Sequence, residues 1–178
     1  MTYVCLLRGI NVGGNNLVSM KDLKAHLEGL GYKNVFTYIN SGNLIFTSDE
    51  LIKDTEEQIF LLIQKAFGVS SKVLVILKEK FLDIAAHIPG HFENNQGFKA
   101  DVLFYYPDLD VALVDKLSFR DGIDHYLKLD DALIHGTKRI HQTKSALIKI
   151  VGTPLYYGVT IRNVNTVRKL RDILISNY

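Results

Sequence analysis

Short runs of consecutive apolar residues alternate along this chain with longer stretches in which apolar residues recur every three or four positions. The first run, TYVCLLRG at residues 2–9, is bounded by glycine and reads as a buried strand. Leu23, Leu27 and Leu30 then recur at helical spacing, with Ser19 as cap, Asp22 three residues on and Gly31 as terminator, which predicts a helix over 19–30. VFTYI and LIFTS, separated by NSGN at residues 40–43, predict two strands joined by a tight turn. Ser48 with Asp49 and Glu50 predicts the start of a second helix, whose apolar side is Leu51, Ile59, Leu62, Ile63 and Ala66 and whose end is Gly68. KVLVIL at 72–77 predicts another buried strand.

The order to this point is βαββαβ, the ferredoxin-like unit. The pattern then restarts. A short helix over 80–86 leads through PGHFENNQG to a strand KADVLFYY, a helix LDVALVDKL, strands around IDHYLKL and ALIHGT, a helical segment over 143–151 and a terminal helix over 165–175. The expectation is an α+β fold of two ferredoxin-like (βαββαβ-type) subdomains, residues 1–78 and 79–178, the second modified with extra C-terminal helices. The halves share no sequence identity, so the duplication is one of pattern. A Rossmann or flavodoxin-like arrangement is the rival, since it too places glycines after its first strand. It is disfavoured because residues 35–47 read as a hairpin, whereas that fold follows each helix with one parallel strand.

Composition is that of an ordinary globular chain: 178 residues, 47% apolar, 22% charged, three prolines. No apolar run approaches the roughly 20 residues needed to cross a bilayer, and no secretory leader pattern opens the chain, so the expected location is cytoplasmic, with no membrane partner. The single cysteine, Cys5, lies inside the first apolar run and excludes an intramolecular disulfide or a thiolate cluster. Charge changes the picture more. Between residues 137 and 178 there are eight Lys or Arg and one acid, Asp172, for a net +7; residues 1–136 carry −5. Such a basic quarter is either an anion-facing surface or a solvated basic face.

RGINVGGNN, residues 8–16, is neither a GxGxxG fingerprint nor a P-loop, because no Lys-Ser or Lys-Thr follows its glycines. Arg8, Asn11, Gly13 and Gly14 nevertheless combine a guanidinium fork with backbone that can bring N–H groups to an oxyanion; the alternative is a tight turn with local side-chain caps. In a βαββαβ unit strands one and three are neighbours, so Ser41 and Asn43 of NSGN lie at the same sheet edge as that loop. TIRNVNTVRKL, residues 160–170, contributes Arg162, Asn163 and Thr166 at a helix start, and TKRIHQTKSA upstream contributes Lys144. These are the candidate ligand-binding residues. No catalytic constellation is visible: His135 and His141 are six apart, HExxH, CxxC and GxSxG are absent, Ser41 has no evident His and carboxylate partners, and the acids between Asp108 and Asp131 read as solvated charges. No metal and no particular cofactor is implied.

LLRGINVGGNN with Met20 just beyond it, VFTYINSGN and TIRNVNTVRKL together resemble the bacterial family called domain of unknown function 1697, in order and spacing from Tyr3 to Leu170. The residues that carry the resemblance are Arg8, Gly9, Asn11, Gly13 and Gly14; Thr37, Ser41, Gly42 and Asn43; and Thr160, Arg162, Asn163 and Thr166. Val164 stands where the family pattern usually has an aromatic. The resemblance implies a cytosolic bacterial α+β protein of repeated ferredoxin-like type, and it implies no activity.

Three functions remain open on these residues. The first is binding of a small phosphate- or carboxylate-bearing ligand by the RGINVGG, SGN and TIRNVNT segments, with or without catalysis. The second is RNA or single-stranded nucleic acid binding, suggested by strand order and basic charge but lacking an RNP-type aromatic pattern. The third is a structural or interaction domain without a ligand. Oligomeric state is not legible in the sequence.

Overall fold

The N-terminal apolar run forms β1 (Thr2–Leu7) in a computed structural model that describes residues Met1–Tyr178. Every residue of β1 after Thr2 is buried, which is why the run does not alternate. After it come α1 (Met20–Gly29), β2 (Lys33–Tyr38), β3 (Asn43–Thr47), α2 (Ile52–Phe67), β4 (Val73–Leu77) and α3 (Lys78–Ala86). The chain divides into two units, Met1–Leu82 with Ile173–Tyr178, and Asp83–Asp172.

In the first unit the strands lie in the order β2-β3-β1-β4, each pair antiparallel. Tyr3, Cys5 and Leu7 of β1, Leu44 and Phe46 of β3 and Val73 and Val75 of β4 form one core cluster with Leu23 and Leu27 of α1 and Ile59 and Ile63 of α2. Both helices thus bury their apolar stripes on one face of the sheet. Ser19 caps α1 as its spacing predicts, its Oγ accepting the Asp22 N–H at 3.2 Å. Gly68 ends α2 in the left-handed region, φ 67°, and donates its N–H to the Gln64 carbonyl. The start of α2 differs from expectation. Ser48 exchanges backbone hydrogen bonds with Met1, so it continues the pairing of β3 with β1, and the helix begins four residues later at Ile52.

The second unit contains β5 (Phe98–Tyr105), α4 (Ala112–Asp115), β6 (His125–Lys128), β7 (Ala132–Lys138), α5 (Pro154–Tyr157) and β8 (Val159–Asn163), with α6 (Val164–Asn177) following. Its strand order, β6-β7-β5-β8, repeats that of the first sheet, again antiparallel throughout. The protein is therefore mixed α+β with two four-stranded antiparallel sheets. On one face of this sheet Leu103, Tyr105, Leu133 and Val159 pack with Val114, Ile150 and Leu155. Farther along the same strands that face turns polar: Asp101 lies opposite His135 and Lys99 opposite Thr137.

Three elements of the second unit depart from the sequence pattern. The Val159–Asn163 strand was hidden by its polar residues Thr160, Arg162 and Asn163, which read as the approach to a helix. The helix expected over 109–117 is only Ala112–Asp115, because the Asp110 carboxylate takes the Ala112 N–H and starts the turn late. The helical segment expected over 143–151 is broken into two 3₁₀ turns, Arg139–Lys144 and Ala146–Lys149, with Ser145 extended between them at φ −64°, ψ 148°.

One turn has no tolerance for a side chain. Gly42, in the link between β2 and β3, has φ +77°, and a Cβ there would lie 2.6 Å from Leu7 Cβ and 2.9 Å from Ile10 Cδ1. Its carbonyl also accepts the Leu7 N–H at 2.8 Å, so the turn cannot simply move away. Gly42→Ala is expected to cost about 2–4 kcal/mol, from the left-handed backbone and the overpacking together, read as a lowered urea midpoint with unchanged slope.

Candidate functional site

The candidate residues singled out in the sequence fall into two groups: Arg8, Asn11, Gly13, Gly14, Ser41 and Asn43 in the first unit, and Lys144, Arg162, Asn163 and Thr166 in the second. Within the first unit the RGINVGGNN loop and the NSGN turn do meet. The Asn11 amide donates to the Asn40 carbonyl at 2.8 Å and to the Val18 carbonyl at 2.9 Å, while its Oδ1 accepts the Val18 N–H at 2.8 Å. Asn16 closes the loop onto the Gly9 carbonyl, and Ser71 Oγ donates to the Arg8 carbonyl. Asn43 is fully buried and donates to the Tyr38 carbonyl and Ser41 Oγ. The amides of Asn11 and Asn43 are therefore spent on shaping the loops. A shallow depression beside Asn11, Gly14, Ser19 and Asn40 contains a single cation, Lys21.

In the second unit Asn163 does what its position before a helix predicts: its Oδ1 accepts the Thr166 N–H at 2.9 Å at the start of α6. Arg162 is buried and donates to Thr160 Oγ1 and the Ile161 carbonyl. Val164 is fully buried and so belongs to the core. Much of the basic C-terminal charge is also used internally. Arg168 donates to the carbonyls of Pro89 and Phe92, and Arg139 to Asn95 and Asn94, so both pin the PGHFENNQG turn. Arg171 pairs with its neighbour Asp172.

Lys144 has a different setting. It lines a cavity of about 300 Å³ in the second unit together with Lys116, Arg120 and Lys149. Ser118, Ser145 and Thr153 add hydroxyls, Leu113, Leu117, Ile150 and Leu155 form an apolar wall, and the lining contains no acidic residue. None of the four cations makes an ion pair, whereas Lys99, Lys128 and Arg171 each do. Unpaired cations converging on a concave, partly apolar surface make a region of positive potential suited to an anion.

A buried carboxylate, Asp124, holds this cavity's wall in place. Its side chain has no exposed surface. Asp124 Oδ1 accepts from Ser145 Oγ at 2.6 Å and from His135 Nε2 at 2.8 Å, Oδ2 accepts the Arg120 N–H at 2.9 Å, and the Ala146 N–H lies 3.2 Å from both oxygens. The acids of residues 108–131, read from sequence as solvated, thus include one that is buried and central. Its partners lie 4, 11, 21 and 22 residues away, and no local pattern betrays them. Lys116, Arg120, Lys149, Ser145 and His135 were missed for the same reason.

Burial raises the Asp124 carboxyl, but the hydrogen bonds from Ser145, His135, Arg120 and Ala146 outweigh it, and the carboxyl sits below its ordinary value. Burial likewise lowers His135, against the opposing pull of Asp124 and Asp101, so the imidazole is neutral near pH 7 and gives its Nε2–H to the carboxylate. The trio is no nucleophile triad. A triad histidine uses one nitrogen for the acid and the other for the serine, whereas here Nε2 faces both Asp124 at 2.8 Å and Ser145 Oγ at 3.3 Å. Ser145 Oγ is itself engaged, donating to Asp124 and accepting from the Leu147 N–H.

The titration of His135 has a sign that can be checked. A base whose native value is lowered contributes stability that is complete above its ordinary value of 6.5 and is lost as pH falls below it, because the unfolded imidazole then takes a proton the native one refuses. Asp124, lowered as well, adds a loss in the same direction at more acid pH. His135→Gln keeps a donor where Nε2 stood and removes the titration. Between pH 7 and 5 the variant is expected to lose stability less steeply than the native chain, by up to about 1.4 kcal/mol per pH unit, measured by urea unfolding at each pH.

The comparisons with known proteins give a family and no activity. No curated protein matches the chain. Among solved structures it is similar to the conserved bacterial protein SP0830 of Streptococcus pneumoniae, with 30% identity, a TM-score of 0.83 and coverage of 97% of this chain and 98% of that one. The family model described as a protein of unknown function, DUF1697, matches residues 1–134. With that match over three quarters of its length, this chain belongs to the DUF1697 family.

Proposed function

We propose that the chain binds a small anionic ligand, phosphate- or carboxylate-bearing, in the second-unit cavity. The observation that carries this reading is the set of four unpaired cations, Lys116, Arg120, Lys144 and Lys149, around one concavity with no acid in its lining. The cations come from the segment that follows α4, Lys116 and Arg120, and from the two 3₁₀ turns, Lys144 and Lys149, so the fold, and no single motif, assembles them. Asp124 and His135 are positioning residues here: they hold the strand of backbone from Lys144 to Ala146 against the loop of Arg120. Each unit is a ferredoxin-like βαββαβ unit in this reading, supported by the strand order 2-3-1-4 of both sheets. The motif loop of the first unit serves as architecture in this reading, its Asn11 and Asn16 amides occupied by backbone carbonyls.

Thermal unfolding in the presence of pyrophosphate or citrate tests the proposal. A ligand at tenfold over its dissociation constant stabilises by about 1.4 kcal/mol, a rise of about 3–6 °C in Tm for a chain of this size. Replacing the four exposed cations together by Gln is expected to abolish the rise while leaving the unliganded Tm nearly unchanged. A rise that survives the four substitutions but disappears in Arg8→Ala or Arg162→Ala moves the site to the motif segments. Binding of a random oligonucleotide at low salt, with no response to small anions, moves the function to nucleic acid.

A further inference from the structure

The same cavity restricts what kind of anion fits it. We infer that its ligand is an amphiphile: a head of at least two negative charges, of the phosphomonoester or pyrophosphate type, attached to a short apolar body. This rests on the anion-binding reading above and adds the ligand's charge and shape. The charge follows from the lining. A monocarboxylate would leave three of the four cations without a counter-charge, whereas a dianion with three terminal oxygens can accept from several ammonium or guanidinium donors at once.

The apolar body follows from volume and wall. About 300 Å³ corresponds to about ten water volumes, and the five heavy atoms of a phosphate fill only part of it. The remaining surface is Leu113, Leu117, Ile150 and Leu155, all members of the second unit's apolar cluster or packed against it. Leu155 and Ile150 are core residues whose edges form this wall, so the cavity opens directly onto hydrophobic surface. A bare inorganic anion would leave that wall facing water. A ligand with a few carbons covers it, and the gain grows with each methylene.

The phosphomonoester head can belong to a soluble phosphorylated compound or to a lipid, and the experiment separates the two. Calorimetric titration of the native chain with inorganic phosphate, methyl phosphate, butyl phosphate and butyrate is expected to rank butyl phosphate about tenfold tighter than methyl phosphate, since three further methylenes realise about half their transfer free energy in an open cavity. Butyrate is expected to bind at least tenfold more weakly than butyl phosphate. The Lys144→Gln/Lys149→Gln variant, altered only at exposed positions, is expected to weaken butyl phosphate at least tenfold. Co-sedimentation with phosphatidylcholine vesicles containing phosphatidic acid, abolished by the same double variant, assigns the head to a lipid; its absence alongside butyl phosphate binding assigns it to a soluble compound. Equal affinity for methyl and butyl phosphate overturns the apolar body. Equal affinity for butyrate and butyl phosphate overturns the dianionic head. In either case the anion-binding reading stands; if no anion binds, that reading fails and this one with it.

Discussion

The carboxylate of Asp124 has no exposed surface, and an ionised group in that position is tolerated only if donors replace the water it has lost. Two backbone N–H groups, a serine hydroxyl and an imidazole do so. These donors belong to the loop at Arg120, to the central strand β7 and to the junction of two 3₁₀ turns, so satisfying one charge fixes three segments at once. Ser145 illustrates the coupling: its hydroxyl donates to Asp124 and accepts from Leu147, and its backbone is extended where the surrounding sequence favours helix. The cations of the cavity stand on either side of these anchored residues, Arg120 four residues before Asp124 and Lys144 next to Ser145. A buried anion thus fixes the segments that carry the cavity's cations, and it does so without spending those cations, because its own charge is balanced by neutral donors.

The first unit uses polar residues differently. Asn11 and Asn43 carry amides that look in isolation like ligand donors, yet Asn11 donates to the carbonyls of Val18 and Asn40, and Asn43 to the Tyr38 carbonyl and Ser41 Oγ. Such residues define the loop as firmly as Gly42 does, where Leu7 and Ile10 leave no room for a Cβ. Asn11 and Asn16 of RGINVGGNN stand in the left-handed region, and their amides satisfy backbone carbonyls within and beside the turn.

Much of the fold was legible in the sequence wherever one element's own pattern decides it. The strand at Thr2–Leu7 announced itself by a continuous apolar run, α1 by its leucine spacing and Ser19 cap, and the end of α2 by Gly68. The elements that departed from pattern were those in which a distant partner outbid local preference. Met1 draws Ser48 into the pairing of β3 with β1, and Asp124 holds Ser145 out of a helix. Strand β8 is named by its partner β5 more than by its own residues. Of the cavity, the sequence pointed to Lys144 and to a basic C-terminal quarter but not to which cations are free, since Arg139 and Arg168 look no different from Lys149 until their carbonyl partners are seen.

By itself the sequence determined the order of strands and helices in the first unit, the apolar stripes that let them pack, the asparagine and glycine positions of the loops, and the family. These depend on residues close together in the chain, where side-chain period and backbone preference act directly. Only the tertiary structure decided which acid is buried, which cations are left unpaired, and that four of them line one cavity. Those properties depend on distances between residues far apart in sequence, and the energy of a charge is set by what surrounds it in space.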